Sequence, residues 1–184
     1  MSSQKVCILA AGRGHRVCRA LDYPHKALIR IGQQAVITRL LQKFSKNSRF
    51  VIALGHEGQL LKDYLNCAHP HHNFEFVDVR KMSGPGSGPG QSLLECKVKL
   101  QEEFVLCCVD TLWDEDISSD FHDDTFFVGD YPNSSTEQFC NLGWNSAGFV
   151  SEIRDKEKVS PNRFAPWIGL AHIKNYKEFF VGLE

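Results

Sequence analysis

The most constraining feature of this chain is its first apolar run. Val6, Cys7, Ile8, Leu9, Ala10 and Ala11 follow one another without a polar residue and stop at Gly12. A run without polar alternation is the pattern of a strand buried on both faces, as in a parallel sheet. It leads into a loop that begins Gly12-Arg13-Gly14-His15-Arg16 and reaches Pro24-His25-Lys26-Ala27-Leu28. Glycines here let the backbone approach an anion closely, and N–H groups in such a turn form a phosphate-binding concavity. Arg16 offers a planar fork for phosphate oxygens and Lys26 a mobile point charge, an arrangement suited to a triphosphate. The loop is not a P-loop, because no Gly-Lys-Ser/Thr follows a four-residue gap. Nor is it a dinucleotide fingerprint, since Val17 stands where the third glycine belongs.

The rest of the chain extends the same architecture. Ile37, Leu40, Leu41 and Phe44 predict a helix over 34–44, and residues 50–54 predict a second buried strand. Leu60, Leu61, Tyr64 and Leu65 predict the next helix, and residues 74–79 a third strand. This alternation defines an α/β fold with a doubly wound, mainly parallel sheet flanked by helices. The alternating Gly and Pro of residues 84–90 continue neither helix nor strand and form a loop with prescribed turns. A helix is predicted over 92–100 and a fourth buried strand over 104–109, ending at Asp110. Further strands are expected at 125–129, 148–150 and 168–173 as antiparallel additions, and a last helix at 174–183 with Tyr176, Phe179, Phe180 and Leu183 on one face.

At 184 residues and 42% hydrophobic, the chain can bury a sizeable core, and one domain over 1–184 is expected. Twenty-one basic against 22 acidic residues leave no broad positive face, so nucleic acid is not an expected partner. Seven irregularly placed cysteines argue against a disulfide framework and for a reducing compartment, with cytoplasm the default. The first apolar run is too short for a signal-peptide core or a membrane span, so no membrane partner is expected.

Leu9-Ala10-Ala11-Gly12-Arg13-Gly14-His15-Arg16, followed by Pro24-His25-Lys26-Ala27-Leu28-Ile29-Arg30-Ile31-Gly32, resembles the signature of nucleotidyltransferases that make nucleotide-activated sugars, polyols or choline. The sequence departs from that pattern by placing His25 between Pro24 and Lys26, which the resemblance reads as altering the lysine's reach. Gln33 stands where many members have a second glycine. The resemblance covers nearly the whole chain. It implies catalytic roles for Arg16 and Lys26, and nucleotide contacts at Leu9, Ala10, Ala11, Gly12 and Gly14. The Gly/Pro loop, with Gly86, Gly88, Gly90 and Ser92, occupies the place of base recognition. Asp110 matches a magnesium-binding aspartate, and Lys156 a lysine that contacts the acceptor's phosphate. Asn141-Leu142-Gly143-Trp144 and residues 164–173 resemble the acceptor-side half.

The implied reaction transfers NMP from a nucleoside triphosphate, CTP or GTP favoured, to a sugar phosphate or small phosphorylated alcohol, releasing pyrophosphate with Mg2+ as cofactor. Members also bring a second aspartate from near their carboxyl end. Residues 169–184 contain none, so the expectation is a chain stopping short of that segment, one module of a longer protein, or a protein that binds nucleotide without turning it over efficiently; a fusion partner or a homo-oligomer is the expected assembly. Two rival classes stand beside this reading. One is a non-catalytic nucleotide-binding or regulatory module; the other is a glycosyltransferase using Asp114 and Asp116, residues also readable as a solvated acidic turn. Cys67, His69, His71 and His72 invite a metal reading, but without a second ligand cluster they read as a polar loop. Cys107 and Cys108 read as small core residues.

Overall fold

The computed structural model describes residues 3–14, 18, 23–114, 121–131 and 135–184. Arg16, Glu115 and Asp116 lie outside the described residues. The first strand, β1 (Lys5–Leu9), is buried along its whole length. It lies between two parallel neighbours, β4 (Arg49–Leu54) and β6 (Phe104–Cys108). On the far side of β4, β5 (Asn73–Asp78) extends the parallel set. The chain therefore builds outward from β1 in one direction and then returns to its other side, which makes the β1/β6 junction a topological switch point.

Between these strands lie helices on both faces. Alternate residues of β1 serve the two layers: Val6 and Ile8 pack with Ile37, Leu40 and Leu41 of α1 (Val36–Leu41) and Leu61 and Leu65 of α2 (Gly58–Ala68). Cys7 and Leu9 pack with Leu93 and Cys96 of α3 (Pro89–Cys96) and Phe180 of α4 (Tyr176–Leu183). This two-sided burial is why the opening run carries no polar alternation.

The predicted helix over 34–44 is shorter in the structure. Arg30–Ile31 (β2) and Gln34–Ala35 (β3) form a small hairpin around Gly32, whose φ of +65° suits glycine, and the helix starts only at Val36. The predicted helix over 92–100 begins earlier, at Pro89, and gives way to a 3-10 turn at Lys97–Lys99. Proline in the first helical turn costs nothing, because that N–H has no intrahelical acceptor.

The antiparallel additions form around one long strand, β10 (Phe164–Ile173). It pairs with β6, with β7 (Thr125–Val128) and with β8 (Cys140–Trp144), which in turn pairs with β9 (Val150–Asp155). The strand expected at 148–150 is mostly a turn: the Asn145 N–H donates to the Phe149 carbonyl, Gly148 adopts φ +84°, and the strand begins at Val150. No helix among the described residues is long and apolar enough to cross a membrane.

Candidate active site

The geometry of the site starts with His25. It is 1% exposed, and its Nδ1 accepts a hydrogen bond from the Ala27 N–H at 3.0 Å. That fixes the neutral tautomer with the proton on Nε2, which donates to the Ala10 carbonyl at 3.0 Å. One side chain thus ties the end of the first-strand run to the 3-10 turn Lys26–Leu28. Burial pushes its pKa below the ordinary histidine value, with the Ala10 carbonyl pulling the other way. The residue that interrupts the family pattern does not divert the lysine. It anchors the turn from which Lys26 extends.

From that turn the Lys26 stem runs over the glycines of the loop. A Cβ on Gly14, which has φ +59°, would sit 3.1 Å from the Lys26 Cβ, and one on Gly12 would lie 4.0 Å from Nζ. Nζ then reaches the Asp110 Oδ2 at 3.1 Å, with the lysine side chain mostly buried and the aspartate 60% exposed. Asp110 follows the carboxyl end of β6. Its position is set from the other side, where the Thr111 hydroxyl donates to the Ile168 carbonyl at 2.5 Å. Gly169, with φ +84°, makes room for this approach: a Cβ there would fall 2.8 Å from both the Cys108 Cβ and the Thr111 Oγ1.

A cavity of about 200 Å³ opens beside Lys26, lined by Leu9, Ala11, Gly12, Val79, Lys81, Met82, Ser87, Gly88, Pro89, Ser92 and Cys108. Segments around residues 9–12, 26, 79–92 and 108 converge there, at the carboxyl ends of the parallel strands where α/β sheets bind ligands. Of the residues singled out in the sequence, Leu9, Ala11, Gly12, Lys26, Gly88 and Ser92 line it. Ala10 is fully buried beneath it. Gly86 accommodates the Lys81 ammonium, which would stand 2.9 Å from a Cβ, and Gly90 turns toward Leu183 of α4 instead. Lys156 lies just past β9 with φ +56°, its N–H donating to the Phe139 carbonyl, and is not among the cavity residues. Asn141 is fully buried and spent on structure: its amide faces the Thr136, Phe139, Arg154 and Glu157 carbonyls and its Oδ1 accepts from the Tyr131 hydroxyl.

Sequence reading missed Lys81 and Met82. Both follow the third parallel strand, so their place at a strand's carboxyl end was the available signal. Cys108 also lines the cavity, but burial and then Asp110 push its thiol up to about 11, so it is a packed wall, not a nucleophile. Among the described residues no three His, Cys, Asp or Glu side chains form a metal-holding group. Asp110 is the carboxylate that would hold a magnesium ion here, with phosphate and water supplying the other oxygens such an ion requires.

A glycine loop and a lysine at the switch point of a doubly wound sheet define a nucleotide-handling α/β protein. The model of the MobA-like NTP transferase domain matches residues 6–123; the chain belongs to this nucleotidyltransferase family. Solved structures share the fold. A Bacillus anthracis protein assigned as a glucose-1-phosphate thymidylyltransferase superposes with a TM-score of 0.72 at 16% identity, over 98% of this chain and 74% of that one. A UDP-glucose pyrophosphorylase bound to UDP-glucose gives 0.73 at 16% identity, over 99% and 79%. The inositol-1-phosphate CTP transferase from T. maritima gives 0.72 at 16% identity, over 98% and 74%. A comparison with curated protein sequences found no match.

Proposed function

We propose that this protein transfers a nucleotidyl group from a nucleoside triphosphate, CTP or GTP favoured, to a sugar phosphate or small phosphorylated alcohol, releasing pyrophosphate. The observation that carries this reading is the meeting of Lys26 and Asp110 at the rim of a cavity shared by the glycine loop and the Gly/Pro loop. Domain relatives and structural neighbours named for such transfers support it.

In the proposed reaction an acceptor phosphate oxygen attacks the α-phosphorus, and the bond to the bridging oxygen of pyrophosphate breaks. Such displacement needs positioning and charge neutralisation more than covalent help. Lys26, held by the His25-anchored turn, offsets the charge gathering on the leaving pyrophosphate, and Arg16 is proposed to share that load. Lys81, also in the cavity lining, adds a second positive charge. Asp110 would hold magnesium, which when bound supplies further neutralisation of phosphate charge. The Gly88–Ser92 wall faces the base, and Lys156 is proposed for the acceptor's phosphate. The proposed setting is one domain over 1–184 in the cytoplasm.

Pyrophosphate release from CTP, GTP, UTP and TTP, each with a panel of sugar and alcohol phosphates, tests the reading. At least one combination is expected to turn over with magnesium, and Lys26→Ala is expected to lose that turnover by at least about a hundredfold. Binding of a triphosphate with no product from any acceptor would overturn it in favour of a binding module.

A further inference from the structure

The free rim of β9 carries information that the nucleotide site does not use. Among the described residues β9 pairs only with β8, which leaves it at the end of the large sheet. Four large apolar side chains of this hairpin stand in solvent: Trp144, Phe149, Val150 and, at 63% exposure, Ile153. An open strand edge with apolar side chains is a template for another strand.

The backbone phase of that edge is fixed. The Lys156 N–H donates to the Phe139 carbonyl, and with the register Asn141↔Arg154 and Gly143↔Glu152 residues 152, 154 and 156 turn their peptide groups toward β8. Residues 153 and 155 therefore present theirs outward, since the direction alternates along an antiparallel strand, and the bulge between Glu152 and Val150 ends that alternation at Ser151. A second strand pairing antiparallel must match outward residues with outward residues.

Charge then selects the occupant and the register. With a second copy of β9 centred Ile153 on Ile153, Glu152 of each copy faces Arg154 of the other, so two complementary pairs form about one two-fold axis. Sliding two residues one way sets Glu152 against Glu152 and Ile153 against the bulged Ser151; sliding the other way sets Arg154 against Arg154, which the two Glu152–Lys156 facings of that register offset only in part, whereas the centred register has no like-charge facing. Like charges directly opposite across a sheet repel, and opposite charges attract. Within one copy Glu152 already holds Arg154 at 2.6 Å and Arg163 at 2.8 Å, so the carboxylate and guanidinium are presented at the edge in defined places. We infer that β9 is a homodimer interface in which two copies join edge to edge, in the register that pairs Glu152 with Arg154 and Ile153 with itself. A two-fold axis makes the contact self-limiting, because each copy has one such edge and pairing consumes it.

Sedimentation velocity of the whole chain over a wide concentration range, with charge variants, tests this. The wild type is expected to move from monomer to dimer mass as concentration rises. Glu152→Arg and Arg154→Glu, each of which leaves like charges opposed, are each expected to stay monomeric where the wild type is dimeric. An equal mixture of these two variants restores both opposite-charge pairs in a heterodimer and is expected to recover dimer mass, as is the double swap Glu152→Arg with Arg154→Glu. A wild type that stays monomeric at every concentration would overturn the inference, leaving the charges as blunting groups on an idle edge. So would single variants that dimerise like the wild type, or a mixture that fails to associate.

Discussion

His25 occupies two backbone groups, the Ala10 carbonyl and the Ala27 N–H, that would otherwise be stranded in a dry interior. The bond accepted from the Ala27 N–H needs the neutral ring, and burial, outweighing the Ala10 carbonyl, lowers the pKa in the same sense. The unfolded chain takes up a proton near pH 6.5 while the folded one resists, so this contribution to stability is present above about pH 6.5 and is lost as pH falls through the depressed folded value. Denaturant titrations between pH 8 and 5 are expected to show stability falling with acid, with His69 and His72, whose pKa values burial also lowers, adding in the same sense. His25→Asn is expected to give a shallower slope; an unchanged slope would assign the effect to the other two. His25→Ala is expected to cost about 1–3 kcal/mol by leaving a buried partner unsatisfied. Because the lost tie sets the turn below Lys26, it should also raise the triphosphate KM about tenfold, and an unchanged KM would reduce His25 to a packing residue.

At the scale of elements, β10 sets the Asp110–Thr111 turn in place from the antiparallel side of the sheet, and Gly169 is the point where the two touch. An alanine there meets Cys108 and Thr111 at 2.8 Å in a backbone conformation that L residues rarely adopt. Gly169→Ala is expected to lose roughly 2–4 kcal/mol in a denaturant midpoint comparison, from overpacking plus left-handed strain. A variant as stable as wild type would mean that β10 yields at this point. The parallel strands were legible in sequence because burial on both faces erases alternation, and the site's left half, Gly12 with Lys26, was legible from residue type and spacing. β8 was not legible as a strand: its Cys140-Asn141-Leu142-Gly143-Trp144 includes a buried Asn and a Gly, where the Phe164 ring needs the missing Cβ, so long-range packing overrides local propensity. Lys81 escaped notice for a related reason, since its partner Gly86 is a contact made by loop folding rather than by periodicity.

For the whole molecule, the cavity draws its walls from segments spread between residues 9 and 108, so ligand binding is linked to the global folding equilibrium. A triphosphate with magnesium at 100 times its Kd is expected to add about 2.7 kcal/mol, roughly a 5–11 °C rise in melting temperature for a chain of this size. A thermal-shift series checks it. Lys26→Ala should lose most of the rise, whereas an equal rise in that variant would move the triphosphate elsewhere. The position of β10 has one more consequence, and it concerns synthesis. The central pairing of β1 with β6 joins residues about a hundred positions apart, and β6 is covered on its other edge only by residues 170–173. A growing chain on the ribosome therefore carries a half-built sheet with an open apolar edge until residues 170–173 emerge. Non-local strands of this kind fold late and aggregate while they wait, so the timing of release of residues 164–173 governs how much of the newly made protein reaches the native state.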